Sequence, residues 1–159
     1  MTAVISKFDC VARIGLIICL NAISDVRAET GGSVKLDEIA FAFANELIKK
    51  GQIVADGKGA WSEHRPSAIE ENEFIRAHGF REYAKWHLGN DHRFPENSKR
   101  RYKFPYGNFK VAHRCGLLAV KARARQYGYL EIENAATKLE RLIEQSKIGA
   151  STPHFKTSP

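Results

Sequence analysis

The sequence predicts an α+β fold, mostly α, with about four helices around a small two-stranded hairpin. Three observations support it: segments with a helical apolar period dominate, two short apolar runs flank a polar stretch, and glycines or capping residues separate the pieces. The first helix is predicted over 36–50, where Leu36, Ile39, Ala40, Phe43 and Leu47 share a face. Asp37 and Glu38 lie in its first turn and Lys49 and Lys50 in its last, which complements the helix dipole, and Gly51 supplies a left-handed stop. Residues 52–55 suit a short strand, followed by a turn over 56–59.

Pro66-Ser67 opens the next helix, with Ser67 and Glu70 at capping-box spacing. Gly79 closes it after His78, and 80–83 adds one further turn. Trp86-His87-Leu88 and Tyr102-Lys103-Phe104 are the two extended runs, joined across the polar stretch 90–101 as a long-looped hairpin. Pro105 confines the second strand to an edge or a terminus. Asn108 is a good cap for a long helix over 109–127, ended by Gly128. Its apolar residues surround most of the rod, so it should sit centrally between several neighbours. A last helix over 130–145 places Ile132, Ala135, Ala136, Leu139, Leu142 and Ile143 on one stripe. No internal repeat is visible.

These elements give one globular unit over 35–145, an extension over 1–34 and a tail over 146–159 that has nothing to bury and is expected to be disordered. In the extension, Lys7 and Arg13 precede an apolar run over 14–23, and Val26-Arg27-Ala28 resembles a cleavage site, the outline of a secretory signal. Asp9, Asn21, Ser24 and Asp25 depart from that outline, and the run is too short to span a membrane. The expected location is the bacterial cytoplasm, with no membrane contact in the folded domain; the alternative is export with residues 1–28 removed.

Charge is unevenly placed. Net charge is +7, yet the segment 97–130 holds nine Lys or Arg and no Asp or Glu, while the remainder is slightly acidic. The positive field therefore arises from one segment, a pattern that suits an anionic partner. Cys10, Cys19 and Cys115 are odd in number and widely spaced, so neither a disulfide framework nor a zinc knuckle is indicated. Cys115 falls on an apolar helical face, where a free thiol acts as a small buried hydrophobe. No nucleophile–base–orienter set surrounds it in the sequence.

The stretch 61–129 holds both tryptophans, five of the six histidines and all five tyrosines. Its motifs are Gly59-Ala60-Trp61-Ser62-Glu63-His64, Trp86-His87-Leu88-Gly89, Tyr102-Lys103-Phe104-Pro105-Tyr106-Gly107, His113-Arg114-Cys115-Gly116-Leu117, Gln126-Tyr127 and Ile132-Glu133-Asn134-Ala135-Ala136. In this combination the chain resembles an uncharacterised family of small proteobacterial proteins, over about two-thirds of its length. The resemblance implies a bacterial domain; it carries no activity and no catalytic residue. The chain departs from the family pattern in having Asn108 after Tyr106-Gly107, where an aspartate is usual. It also has Lys121-Ala122-Arg123 in the central helix, where the family has Glu-Ser-Arg. The basic segment can therefore be local to this chain.

Three functions are compatible with these residues. The leading expectation is non-catalytic binding of nucleic acid or another polyanion. Lys110, Arg114, Lys121 and Arg125 would form a stripe within about 60° of arc on an ideal helix, joined by Lys99, Arg100, Arg101 and Lys103 from the hairpin. Tyr102, Phe104 and Tyr106 interleave with these charges and could stack on bases. About four neutralised phosphates on a duplex would give a salt slope near −3.6. The competing account is a solvated face whose cations pair with Glu70, Glu71, Glu73 and other carboxylates. The second function is a protein-interaction or structural module of unknown partner, with the aromatics and arginines as anchors; an acidic protein is the alternative to nucleic acid as an anionic partner. The third is a metal-dependent site from His64, His87, Asp91 and His113, with Glu63 an alternative third ligand; no zinc-type spacing supports it. No catalytic residue, resident metal or cofactor is expected.

Overall fold

The computed structural model describes residues 33–150, with side chains through residue 146. The segment over 1–28, whose removal is the alternative of export, and the tail beyond residue 150 lie outside these residues. Within them the architecture is α+β and mostly α, as the sequence predicts. In chain order the elements are β1 (Val34–Leu36), α1 (Glu38–Lys49), β2 (Ile53–Val54), α2 (Trp61–His64), α3 (Ala68–Ala84), β3 (His87–Asp91), β4 (Tyr102–Pro105), β5 (Ala112–His113), α4 (Arg114–Gln126) and α5 (Leu130–Ala150).

The hairpin forms where expected, β3 pairing antiparallel with β4 and placing Gly89 opposite Lys103. It is not alone. β1 adds to its other side, Val34 opposite Asp91 and Leu36 opposite Gly89, giving the order β1-β3-β4. The sequence places Val34 in the extension and Leu36 in a helix. A three-residue strand is too short to show a period, and Asp37 rather than Leu36 starts the helix. The Asp37 carboxylate accepts the backbone N–H groups of Ile39 and Ala40, both at 3.0 Å. Gly89 leaves no room for a side chain: a Cβ there would meet Phe104 at 2.6 Å and Val34 at 2.8 Å.

α3 has its capping box, with Ser67 N–H donating to Glu70 at 2.8 Å and Glu70 N–H to Ser67 Oγ at 3.3 Å. Gly79 interrupts it with φ 79°, and 80–84 form the further turn. α5 continues past the predicted end at residue 145, so the start of the expected disordered tail, 146–150, is helical.

The central helix departs furthest from its predicted bounds. α4 begins at Arg114, five residues after the predicted start. Asn108 caps a turn rather than a helix, its side-chain oxygen accepting N–H from Lys110 at 3.2 Å and Val111 at 3.0 Å. Phe109 takes φ 65° and stacks on Phe74 at 4.3 Å, and Ala112–His113 leave the turn as β5, parallel to β2. Asparagine serves both roles, and tertiary pairing with β2 decides between them.

The core lies between α1, α4, α5 and the three-stranded sheet, with Leu88, Tyr106, Leu117, Ile132, Leu139 and Ile143 almost wholly buried. Tyr106 donates its hydroxyl to the Lys85 carbonyl at 2.7 Å. Trp86 meets the edge of Phe43 at 5.3 Å between centroids.

Candidate functional site

With α4 shortened, the predicted stripe does not exist as one edge. Lys110 sits exposed in the turn before β5, outside α4. Arg114 and Lys121 face α5, where both meet Glu140, at 3.4 and 2.9 Å, and Arg114 also reaches Glu144 at 3.6 Å. Arg125 pairs loosely with Glu133 at 3.9 Å. On the hairpin side, Lys99 donates to Glu71 at 2.8 Å, one of the acids named above for the solvated-face account. Arg101 donates to the Phe94 carbonyl at 2.8 Å and to His92 at 3.0 Å. Two predicted stacking residues are also taken up internally. Tyr106 is core, and Tyr102 is buried with its hydroxyl donated to the Glu96 carbonyl at 2.7 Å.

Arg100, Lys103 and Phe104 remain available. They line an open cleft of about 670 Å³ with Arg65, Arg93 and Arg123. Among the described residues the single carboxylate in its wall is Asp91, already held by Arg93 through two side-chain hydrogen bonds of 3.0 and 2.8 Å. Those bonds outweigh the burial of Asp91 and hold its carboxyl down at about 2. The other four cations make no ion pair with a described carboxylate. Phe94 sits among them, 4.2 Å from the Arg100 guanidinium and 5.7 Å from the Lys103 ammonium. Trp61, Phe104, Tyr127 and Tyr129 complete an aromatic lining. Each charged residue comes from a different element: the end of α2, the loop after β3, a 3-10 turn over Lys99–Arg101, β4 and α4. Sequence reasoning missed Arg65, Arg93 and Arg123 for that reason, since two lie outside the basic segment and none fits the stripe.

A second assembly lies behind Trp61. Asp56, His64, His113 and Cys115 bring one potential ligand atom each to within 4.8 Å of one another. Asp56 Oδ2 is the hub, 2.7 Å from His64 Nδ1, 2.8 Å from His113 Nδ1 and 3.1 Å from Cys115 Sγ. Asp56 Oδ1 accepts the backbone N–H of Cys115 at 2.6 Å. Burial raises the Asp56 carboxyl, but hydrogen bonds from His113, Cys115 and His64 prevail and set it at about 2. Burial, then the Asp56 carboxylate, push the Cys115 thiol up to about 12. A thiol so held is not a nucleophile at neutral pH. The sequence expectation for Cys115 is half right: it is buried, but it has polar company from residues 51 and 59 positions away.

The metal quartet expected from sequence divides. His64 and His113 join this assembly, whereas His87 and Asp91 lie on β3 with other partners. His87 Nδ1 donates to the Tyr83 carbonyl at 2.9 Å, and burial drives its pKa down to about 4, so it is a neutral framework residue. Gly116 explains how Trp61 reaches the same place. A Cβ on it would sit 2.9 Å from the Trp61 ring and 2.7 Å from the Tyr106 carbonyl oxygen. Among the described residues, no helix is long and apolar enough to cross a membrane. Set against family models, curated proteins and solved structures, the chain finds no match.

Proposed function

We propose that the domain binds single-stranded nucleic acid through the cleft bounded by α2, β4, α4 and the loop after β3. The observation that carries this reading is the charge imbalance there: among the described residues five cations line the cleft against one carboxylate, and that carboxylate is occupied. Guanidinium and ammonium groups that pair with no described carboxylate, set beside half-buried rings, match a strand that presents phosphates and stackable bases together. A duplex would need a convex ridge or an inserted element, and the ridge once expected on α4 is neutralised by α5.

The test is a fluorescence-anisotropy titration of a labelled single-stranded oligonucleotide over a salt series. Four engaged cations predict a slope of log K against log salt near −2.8, from roughly 0.7 per phosphate on a single strand. A nucleoside monophosphate competing as well as the strand would reassign the cleft to a small phosphorylated ligand. Affinity independent of salt, or equal preference for blunt duplex, would remove the reading.

A further inference from the structure

We infer that Asp56, His64, His113 and Cys115 form a binding site for a single zinc ion. The inference goes beyond the proposed nucleic-acid binding and does not depend on it.

The geometry is that of a ligand set around a common point. A tetrahedral zinc with bonds of about 2.0–2.3 Å keeps its ligand atoms roughly 3.2–3.8 Å apart. His64 Nδ1 and Cys115 Sγ are already 3.6 Å apart, the contacts to Asp56 Oδ2 run from 2.7 to 3.1 Å, and the four atoms lie within 4.8 Å of one another, so an ion would push the carboxylate contacts apart by up to about half an ångström and draw the widest pair in by about 1 Å. Hydrogen bonding accounts poorly for the arrangement. One carboxylate oxygen with two lone pairs faces three donors, His64, His113 and Cys115, at 3.1 Å or less. A cation at the centre turns three competing donors into ligands. It also supplies the positive charge that a buried carboxylate and thiolate require.

The donor set selects the metal. Two imidazoles, a thiolate and a carboxylate suit zinc, whereas calcium and magnesium take oxygen ligands. Binding releases the thiol proton to solvent as the sulfur–zinc bond forms, and each imidazole ligates through Nδ1 with its proton on Nε2. Four protein ligands complete the tetrahedron, which is the pattern of a structural site. The ion would join the loop after β2, α2, β5 and the start of α4. α2 carries His64 between Trp61 and Arg65, both in the cleft wall, so the site also fixes one side of that cleft.

The full chain, purified without a tag, is titrated with zinc against a chromophoric chelator of micromolar affinity, and in parallel with cobalt(II). One zinc per chain is expected to outcompete the chelator. The cobalt form should show a thiolate-to-metal charge-transfer band and the intense visible bands of tetrahedral coordination. Cys115→Ser should abolish the charge-transfer band. His64→Gln, at a partly exposed ligand, should weaken zinc at least about 100-fold, more than losing an outer hydrogen bond to a ligand does, while leaving the circular dichroism unchanged. Should Cys115→Ser fail to fold, His64→Gln decides alone. No zinc retained, an octahedral cobalt spectrum without the thiolate band, or wild-type zinc affinity in His64→Gln would each overturn the site. Oligonucleotide affinity measured on the same samples reports the cleft separately.

Discussion

The two faces of α4 carry cations of opposite standing. Arg114 and Lys121 turn toward α5, where Glu140 engages both and Glu144 engages Arg114 as well. Arg123 turns toward the cleft and, among the described residues, finds only the Tyr127 ring and hydroxyl, at 5.6 and 3.3 Å. One helix thus holds a structural set of positive charges and an available one, two residues apart at Lys121 and Arg123. A charge count along the sequence cannot separate them. The deciding carboxylate, Glu140, sits on a different helix, 19 positions beyond Lys121 and 26 beyond Arg114. What a cation can bind is set by which carboxylates the fold brings to it first.

The sharpest way to break this contrast is charge reversal on the available side. Arg100→Glu combined with Arg123→Glu should lower oligonucleotide affinity by about 100-fold, each substitution removing a charge-assisted contact and adding a repulsion. Both side chains are exposed, so stability should change by less than about 0.5 kcal/mol. Anisotropy and thermal melting on the same variant check the two halves. An unchanged affinity would mean that the cleft cations are as idle as those facing α5.

The converse experiment acts on the structural set. Glu140 is largely buried, and Glu140→Gln removes the shared acceptor of Arg114 and Lys121. Loss of stability of about 1–2 kcal/mol is expected, because the two cations are left with a weaker neutral partner. Their release should also raise non-specific affinity and steepen the salt slope by up to about one unit for each cation that reaches a phosphate. Denaturant unfolding gives the first quantity and the anisotropy series gives the second.

Local chemistry made much of the fold legible. The capping box at Ser67, the stop at Gly51 and the hairpin of β3 and β4 were all readable, because each signal lies within a few residues of its effect. The start of α4 was not. Asn108 satisfies N–H groups equally well in a turn or a helix, and only the parallel pairing of β5 with β2, over 50 residues away, draws Ala112 and His113 out of a helix. β1 escaped for a related reason, being stabilised by Asp91 and Gly89 rather than by its own sequence. The candidate sites suffered most. His64 and His113 were recognised as possible ligands, but Asp56 read as part of a turn and Cys115 as a hydrophobe. Neither residue has a spacing signal toward the other, since 59 positions separate them.

The smallest expected effect discriminates most cleanly between the stripe that the sequence suggested and the cleft that the fold assembles. Arg125 belonged to the stripe, and in the structure it is 79% exposed, 3.9 Å from Glu133 and outside the cleft lining. An exposed pair of that length contributes about 0–1 kcal/mol, so Arg125→Ala should leave the melting transition almost where it was. It should also leave oligonucleotide affinity within about twofold and keep the salt slope, because no phosphate contact is lost. If binding ran along α4 instead, removing Arg125 would flatten the slope by roughly 0.7 on a single strand. A flattened slope with an intact fold would return the contact surface to the helix edge and leave the cleft cations as bystanders.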